Sequence, residues 1–162
     1  MTISKKIVLL GHFGVGKSSL IRRFVENTFS DDYKVTIGVH ILKKSITVND
    51  TDLSMIIWDI EGNEKVQNTR NSYLMGTAGY IYVFDASRPS TYTNINEDLD
   101  YLTNQLPGIP MQLVGNKVDL VDLPKLKTIL TEKNIDCQYF ASAKTGENVE
   151  ALFHSLGELI IP

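Results

Sequence analysis

Gly11 to Ser19 reads GHFGVGKSS. The spacing is G-x-x-x-x-G-K-[ST], and each residue type has a chemical reason to be there. Glycines let the backbone turn its N–H groups inward, where they surround phosphate oxygens. Gly11, His12, Phe13, Gly14, Val15 and Gly16 provide that backbone. Lys17 brings a point charge for the outer phosphates. Ser18, ahead of Ser19, offers a hydroxyl to Mg²⁺, a hard cation that takes oxygen ligands and keeps phosphate in its shell. A plain glycine-rich connection with an exposed lysine is the bland reading, but it requires strand, loop, Lys-Ser and helix to coincide by chance. The pattern implies a nucleoside triphosphate and leaves the base open.

Two later loops address the base. In GNKVDL, Gly115 to Leu120, Asp119 can accept two hydrogen bonds from the N1–H and 2-amino groups of guanine. Adenine offers neither donor and would leave a partly buried carboxylate unpaired. Asn116 can bond the base and tie loops together, and the stem of Lys117 can lie over the base plane. In SAKTGEN, Ser142 to Asn148, the N–H of Ala143 can reach the base carbonyl and Lys144 can flank the ring. NKVD by itself could be a surface turn; paired with the second loop it specifies guanine.

A third stretch, WDIEGNE, Trp58 to Glu64, is open on residue types alone. Asp59, Glu61 and Glu64 could be a carboxylate cluster for acid–base work, metal ligands, or the polar loop that ends a buried strand.

These loops need a scaffold. Buried strands are expected at KIVLL near Lys5, Leu53–Trp58, Gly79–Phe84, Met111–Gly115 and Cys137–Ala141, all short apolar runs rich in Val, Ile and Tyr. Val39–Val48 alternates more and precedes the turn signal NDTD, which predicts an antiparallel pair with the Leu53 run, at a sheet edge. Helices are expected at Lys17–Glu26, Thr91–Leu106, Pro124–Lys133 and Val149–Ile160, the last with Asn148 as N-cap. Alternating strands and helices predict an α/β domain with a mostly parallel sheet covered on both faces. In such sheets ligands bind beyond the carboxyl ends of the strands, where these loops lie.

The chain has 162 residues, which suits one domain, residues 1–162. A hydrophobic share of 43% and a charged share of 22% are those of an ordinary globular protein. A net charge of -3 with no basic block argues against nucleic acid. The single cysteine, Cys137, cannot form an internal disulfide. No apolar stretch approaches the roughly 20 residues of a membrane span. Thr2 is not a myristoylation site and LGELIIP carries no cysteine for prenylation, so no intrinsic membrane anchor is expected. A monomeric cytoplasmic protein is the expectation.

Taken together, FVENTFSDDY followed by TIGV, the IIWD strand end, NSYLMGTAGYIYVFDAS, VGNKVDL and ASAKTGENVEALF resemble the Ras superfamily of small GTPases, and the Rab branch most closely. The resemblance covers essentially the whole chain. It implies a P-loop G domain with a six-stranded, mostly parallel sheet, one antiparallel edge strand and five helices. It also implies GTP and GDP as ligands, Mg²⁺ as cofactor, and two switch segments that sense the γ-phosphate and meet an effector, an exchange factor and an activating protein. By that resemblance Thr36 is the switch I threonine that joins Mg²⁺ beside Ser18. Phe29 packs edge-on against guanine, and Tyr33 covers the phosphates. Asp59 holds Mg²⁺ through water, and the N–H of Gly62 senses the γ-phosphate.

Several positions depart from that pattern. Where family members read DTAGQE, this chain reads DIEGNE. Asn63 stands where a glutamine orients the attacking water, and its amide is one methylene, about 1.5 Å, shorter. Misplacement on that scale can lower a rate about 100-fold. Glu61 has three readings: a solvated side chain, a charge that repels the γ-phosphate, or an acceptor that helps aim the water. Phe13 replaces a small residue and His12 an aspartate. A phenyl ring at position 13 would obstruct an arginine brought by an activating partner. Of the aromatic triad that Rabs present to effectors, Trp58 and Tyr73 remain, Ile41 replaces the third member, and Val66 replaces a neighbouring phenylalanine. Lys17, Glu61, Gly62 and Asn63 are the expected catalytic set, with slow hydrolysis. The competing expectation is a module that binds GTP or GDP and does not cycle.

Overall fold

The computed structural model describes residues 2–32, 35–63 and 65–162. Its strands are β1 (Thr2–Gly11), β2 (Val39–Val48), β3 (Thr51–Ile60), β4 (Thr77–Asp85), β5 (Met111–Asn116) and β6 (Tyr139–Phe140). Its helices are α1 (Lys17–Glu26), α2 (Asn71–Leu74), α3 (Ile95–Gln105), α4 (Leu123–Glu132) and α5 (Val149–Ile160). The sheet runs β2-β3-β1-β4-β5-β6, antiparallel only between β2 and β3. That matches the expected fold class.

The β2–β3 hairpin turns on Asn49 and Asp50, at φ 48° and 62°. Two successive left-handed residues match a tight hairpin turn to the right-handed twist of its strands, and Asn and Asp tolerate that conformation. Each central strand is buried on both faces, which is why the runs are continuously apolar. On one face Ile7, Leu9, Ile81 and Val83 meet α1 and α5, where Phe24 and Phe153 stack at 4.1 Å. On the other, Val8, Leu10, Tyr80, Tyr82 and Phe84 meet Ile95, Leu102, Leu126 and Leu130 of α3 and α4. Among the described residues no helix is long and apolar enough to cross a membrane.

Three local expectations need correction. α3 begins at Ile95, not Thr91, because Pro89–Thr91 forms a separate 3₁₀ turn. The Thr91 hydroxyl holds that turn by donating to Arg88 O at 2.8 Å and accepting from Asp85 N at 2.9 Å. β6 is only Tyr139–Phe140, shorter than Cys137–Ala141. Asn148 occupies the cap position of α5 with φ 59° and makes no capping bond; its Nδ2 donates to Phe140 O at 2.8 Å. Asp122 caps α4, accepting from Lys125 N at 3.2 Å, with Pro124 in the first turn as expected.

Candidate guanine-nucleotide and magnesium site

A cavity of about 300 Å³ opens among the loops that follow β1, β3, β5 and β6. Phe13, Gly14, Gly16, Lys17, Ser18 and Ser19 form its wall on the first-loop side. Phe29, Thr36 and Gly62 join from the switch segments, and Asn116, Lys117, Asp119, Ala143 and Lys144 from the two base loops. Gly11, His12, Val15, Ser142, Asp59, Glu61 and Asn63 lie outside that wall. Tyr33 and Glu64 fall outside the described residues.

The first loop is bent tightly enough that only glycine fits at Gly16. Its φ is 96°, and a Cβ there would stand 2.3 Å from Asn116 Nδ2. Asn116 binds the loops together, donating from Nδ2 to Val15 O at 3.0 Å and accepting at Oδ1 from Ala143 N at 3.2 Å. The Ala143 N–H, expected to face a base carbonyl, is thus directed at Asn116. Lys117 Nζ donates to Gly14 O at 2.9 Å. Ser142 is fully buried behind Asp119 and donates to its Oδ1 at 2.7 Å. That hydrogen bond orients the Asp119 carboxylate.

The region around Lys17 is charged and desolvated. Lys17 is buried, with Nζ 3.2 Å from His12 O and 3.4 Å from Gly11 O. Burial lowers its ammonium to about 8, and nearby Asp59 opposes that shift. Burial likewise raises the Asp59 carboxyl above its ordinary value, against the Ser18 hydrogen bond and the Lys17 charge. Bound phosphate and a divalent cation would each favour the charged forms that burial penalises.

Ser18 Oγ lies 2.7 Å from Thr36 Oγ1 and 2.5 Å from Asp59 Oδ2, so three hard oxygen donors converge. Asp59 Oδ1 is buried with no hydrogen-bond partner among the described residues. Two hydroxyls and one carboxylate, one of whose oxygens is orphaned, fit Mg²⁺ that keeps phosphate and water in its shell. Among the described residues no cluster of three His, Cys, Asp or Glu side chains could hold a metal by itself.

Gly62 sits against the first loop. A Cβ on it would come within 2.9 Å of His12 O and of Phe13 N and Cα, so only glycine permits this approach. Glu61 is half-buried and doubly tied to Gly38. Its N–H donates to Gly38 O at 2.8 Å, and its Oε2 accepts from Gly38 N at 2.9 Å. The solvated reading of Glu61 is therefore corrected: its carboxylate joins the end of β3 to the start of β2. Phe13 is 45% exposed on the cavity wall. His12 Nε2 is 3.6 Å from Asp98 Oδ2, which also accepts from Tyr82 OH at 2.7 Å.

On the switch face, Trp58 and Tyr73 tilt together at 6.4 Å between ring centroids, and Lys6 Nζ lies 3.6 Å over the indole. Ile41, paired with Trp58 across the hairpin, is exposed. Arg23 of α1 also belongs to the site. Its Nε donates to Ala143 O at 2.8 Å and its Nη2 to Lys144 O at 2.7 Å, fixing the last base loop to α1. No local pattern marks it, since its partners lie 120 and 121 residues away.

Comparison with known proteins agrees with this geometry. The sequence model of the Ras family matches residues 6–161. Ras-related protein Rab-1 of Theileria annulata is 34% identical over 165 residues, covering 96% of this chain and 73% of that protein. Ras-related protein RABC1 of Arabidopsis thaliana is 39% identical over 160 residues, covering 93% and 74%. Ras-related protein Rab-7b of Mus musculus is 34% identical over 162 residues, covering 95% and 81%.

Proposed function

Because the chain belongs to the Ras family of small GTPases and is most similar to its Rab branch, we propose that it is a GTP/GDP switch whose own hydrolysis step is slow. The observation that carries this reading is one cavity whose wall holds Lys17, Ser18, Thr36 and Gly62 at one end and Lys117, Asp119 and Lys144 at the other. A triphosphate with guanine at its far end is the ligand whose chemistry suits both ends.

In this reading Lys17 and the backbone of residues 11–16 bind the phosphates, Asp119 reads N1–H and the 2-amino group, and Lys117 and Lys144 flank the ring. Phe29 packs against the base. Ser18, Thr36 and Asp59 hold Mg²⁺, which when bound neutralises charge on the phosphate oxygens. Gly62 offers its N–H to the γ-phosphate. Asn63 orients the attacking water from a shorter reach than glutamine has. Lys17, Gly62 and Asn63 form the catalytic set. Glu61 belongs with them through position: its carboxylate holds the start of β2 against the end of β3, which favours an ordered switch I over direct proton transfer. Phe13 covers the phosphates and blocks an arginine offered from outside, so a partner that accelerates hydrolysis must approach differently.

An effector, an exchange factor and an activating protein would meet the switch face around Ile41, Trp58 and Tyr73. The reading carries a single-domain monomer working in the cytoplasm. Burial holds the lone thiol of Cys137 up at about 12, consistent with an unreactive cysteine.

Competition against a fluorescent GDP analogue tests the assignment. GTP and GDP should displace it with Mg²⁺ present, and ATP should be weaker by at least about 10⁴-fold, since a site built to bond donors rejects an analogue lacking them. Equal competition by ATP and GTP would remove the guanine reading.

A further inference from the structure

Asp85 ends β4 and has no role in the nucleotide motifs, yet it is fully buried. Its Oδ1 accepts from Ser87 N at 2.8 Å and Ser87 Oγ at 2.6 Å. Its Oδ2 faces two cations: Lys117 Nζ at 3.0 Å and Arg88 Nη1 at 3.9 Å. Each cation in turn donates to a carbonyl of the phosphate loop. Lys117 Nζ reaches Gly14 O at 2.9 Å, and Arg88 Nη1 reaches Phe13 O at 3.0 Å. The two carbonyls are consecutive.

We propose that Asp85 and Arg88 are positioning residues for nucleotide retention, forming with Lys117 a clamp on the outer edge of the phosphate loop. The inference rests on the guanine-nucleotide reading of the cavity. A trans peptide is planar, with C=O and N–H on opposite edges. Cations on the carbonyls of Phe13 and Gly14 therefore leave the N–H groups of Gly14 and Val15 on the far edges of the same planes. A cation drawing on a carbonyl polarises its peptide and strengthens the opposite N–H as a donor to anionic oxygen. Two cations side by side repel unless an anion lies between them, and Asp85 supplies that anion from a fully buried position. Its register explains the placement: Asp85 pairs with Asn116 across β4 and β5, next to Lys117. The clamp therefore sets how firmly the loop grips phosphate, through Asp85 and Arg88, which lie off the cavity wall, and Lys117, which lies on it.

Dissociation of fluorescent GDP and IDP from the full chain with Mg²⁺ tests this for the native protein, Asp85→Asn, Arg88→Gln and the double variant. Arg88 is 45% exposed and outside the hydrophobic core, so Arg88→Gln keeps the test open should Asp85→Asn not fold. Arg88→Gln should release GDP about fivefold faster through loss of its hydrogen bond to Phe13 O, and Asp85→Asn at least about tenfold faster through loss of the buried charge that pairs both cations. The double variant should be no faster than Asp85→Asn by more than about twofold, because Arg88 grips through Asp85. The GDP-to-IDP ratio should stay unchanged in Arg88→Gln, since Asp119 still reads the base; a general loosening of the pocket would shrink it. Release within twofold of native in Arg88→Gln, a collapsed GDP-to-IDP ratio, or fully multiplicative effects in the double variant would each overturn the clamp. A native chain that fails to hold GDP at all would instead defeat the nucleotide reading itself.

Discussion

Glu61 and Gly38 meet where the two switches join, and the bond between them is made by a side chain that no DTAGQE sequence carries. A buried or half-buried hydrogen bond of this kind contributes about 1 kcal/mol, more when the acceptor is charged. Glu61→Ala should therefore raise the exchange rate of the Gly38 amide with solvent deuterium about tenfold, while Glu61→Gln, which keeps a carbonyl acceptor, should raise it less. Equal exchange in all three proteins would show that the tie does not hold switch I in solution. At the other end of the cavity, Asp119→Asn replaces an acceptor-only group with one that can donate. The variant should shift preference from guanine towards xanthine nucleotides, which have a carbonyl where guanine has its amine; unchanged selectivity in a displacement assay would remove Asp119 from base reading. Residues in contiguous motifs, Gly16 to Ser18 and Asn116 to Asp119, were legible because local spacing carries their chemistry. Arg23, Asp85 and Arg88 were not, because each acts on backbone 75 or more residues away, or on a side chain brought alongside only by strand register. The carboxylate of Glu61 was open for a similar reason: its partner is a backbone N–H, which no sequence pattern announces.

At the scale of elements, α5 does most to fix the sheet beneath the base loops. Val149, Leu152, Phe153, Leu156 and Ile160 recur at helical spacing and are all buried, so its bounds matched the periodicity. The bounds of α1 matched too, since the glycine loop before Lys17 and Asn27 in the left-handed conformation mark its ends. α2 escaped prediction because four residues give no period to detect. α3 is shorter than its apolar spacing predicts because the bonds of Thr91 to the Asp85–Arg88 turn lie outside any helical pattern. Phe153→Ala removes one ring of the stacked pair with Phe24 and opens a cavity between α1, α5 and the sheet. It should cost about 3 to 5 kcal/mol in urea unfolding. A loss under about 1 kcal/mol would mean that the stack is not a core contact in solution.

At the scale of the whole molecule, the sheet order β2-β3-β1-β4-β5-β6 brings residues from 13 to 144 to one end of the sheet. The cavity exists only when every central strand is in register, so nucleotide binding and folding are coupled. The fold follows from that arrangement; in the proposed reading the rate depends on two side chains, Asn63 and Phe13. Single-turnover conversion of bound GTP to GDP, without any partner, tests the switch reading most directly, with Asn63→Gln measured beside the native chain. The native protein should turn over more slowly than about 3 × 10⁻⁴ per second, the intrinsic rate of Ras, and Asn63→Gln should be faster by up to about 100-fold. Native hydrolysis above that rate, or a glutamine variant no faster than the native chain, would contradict the account.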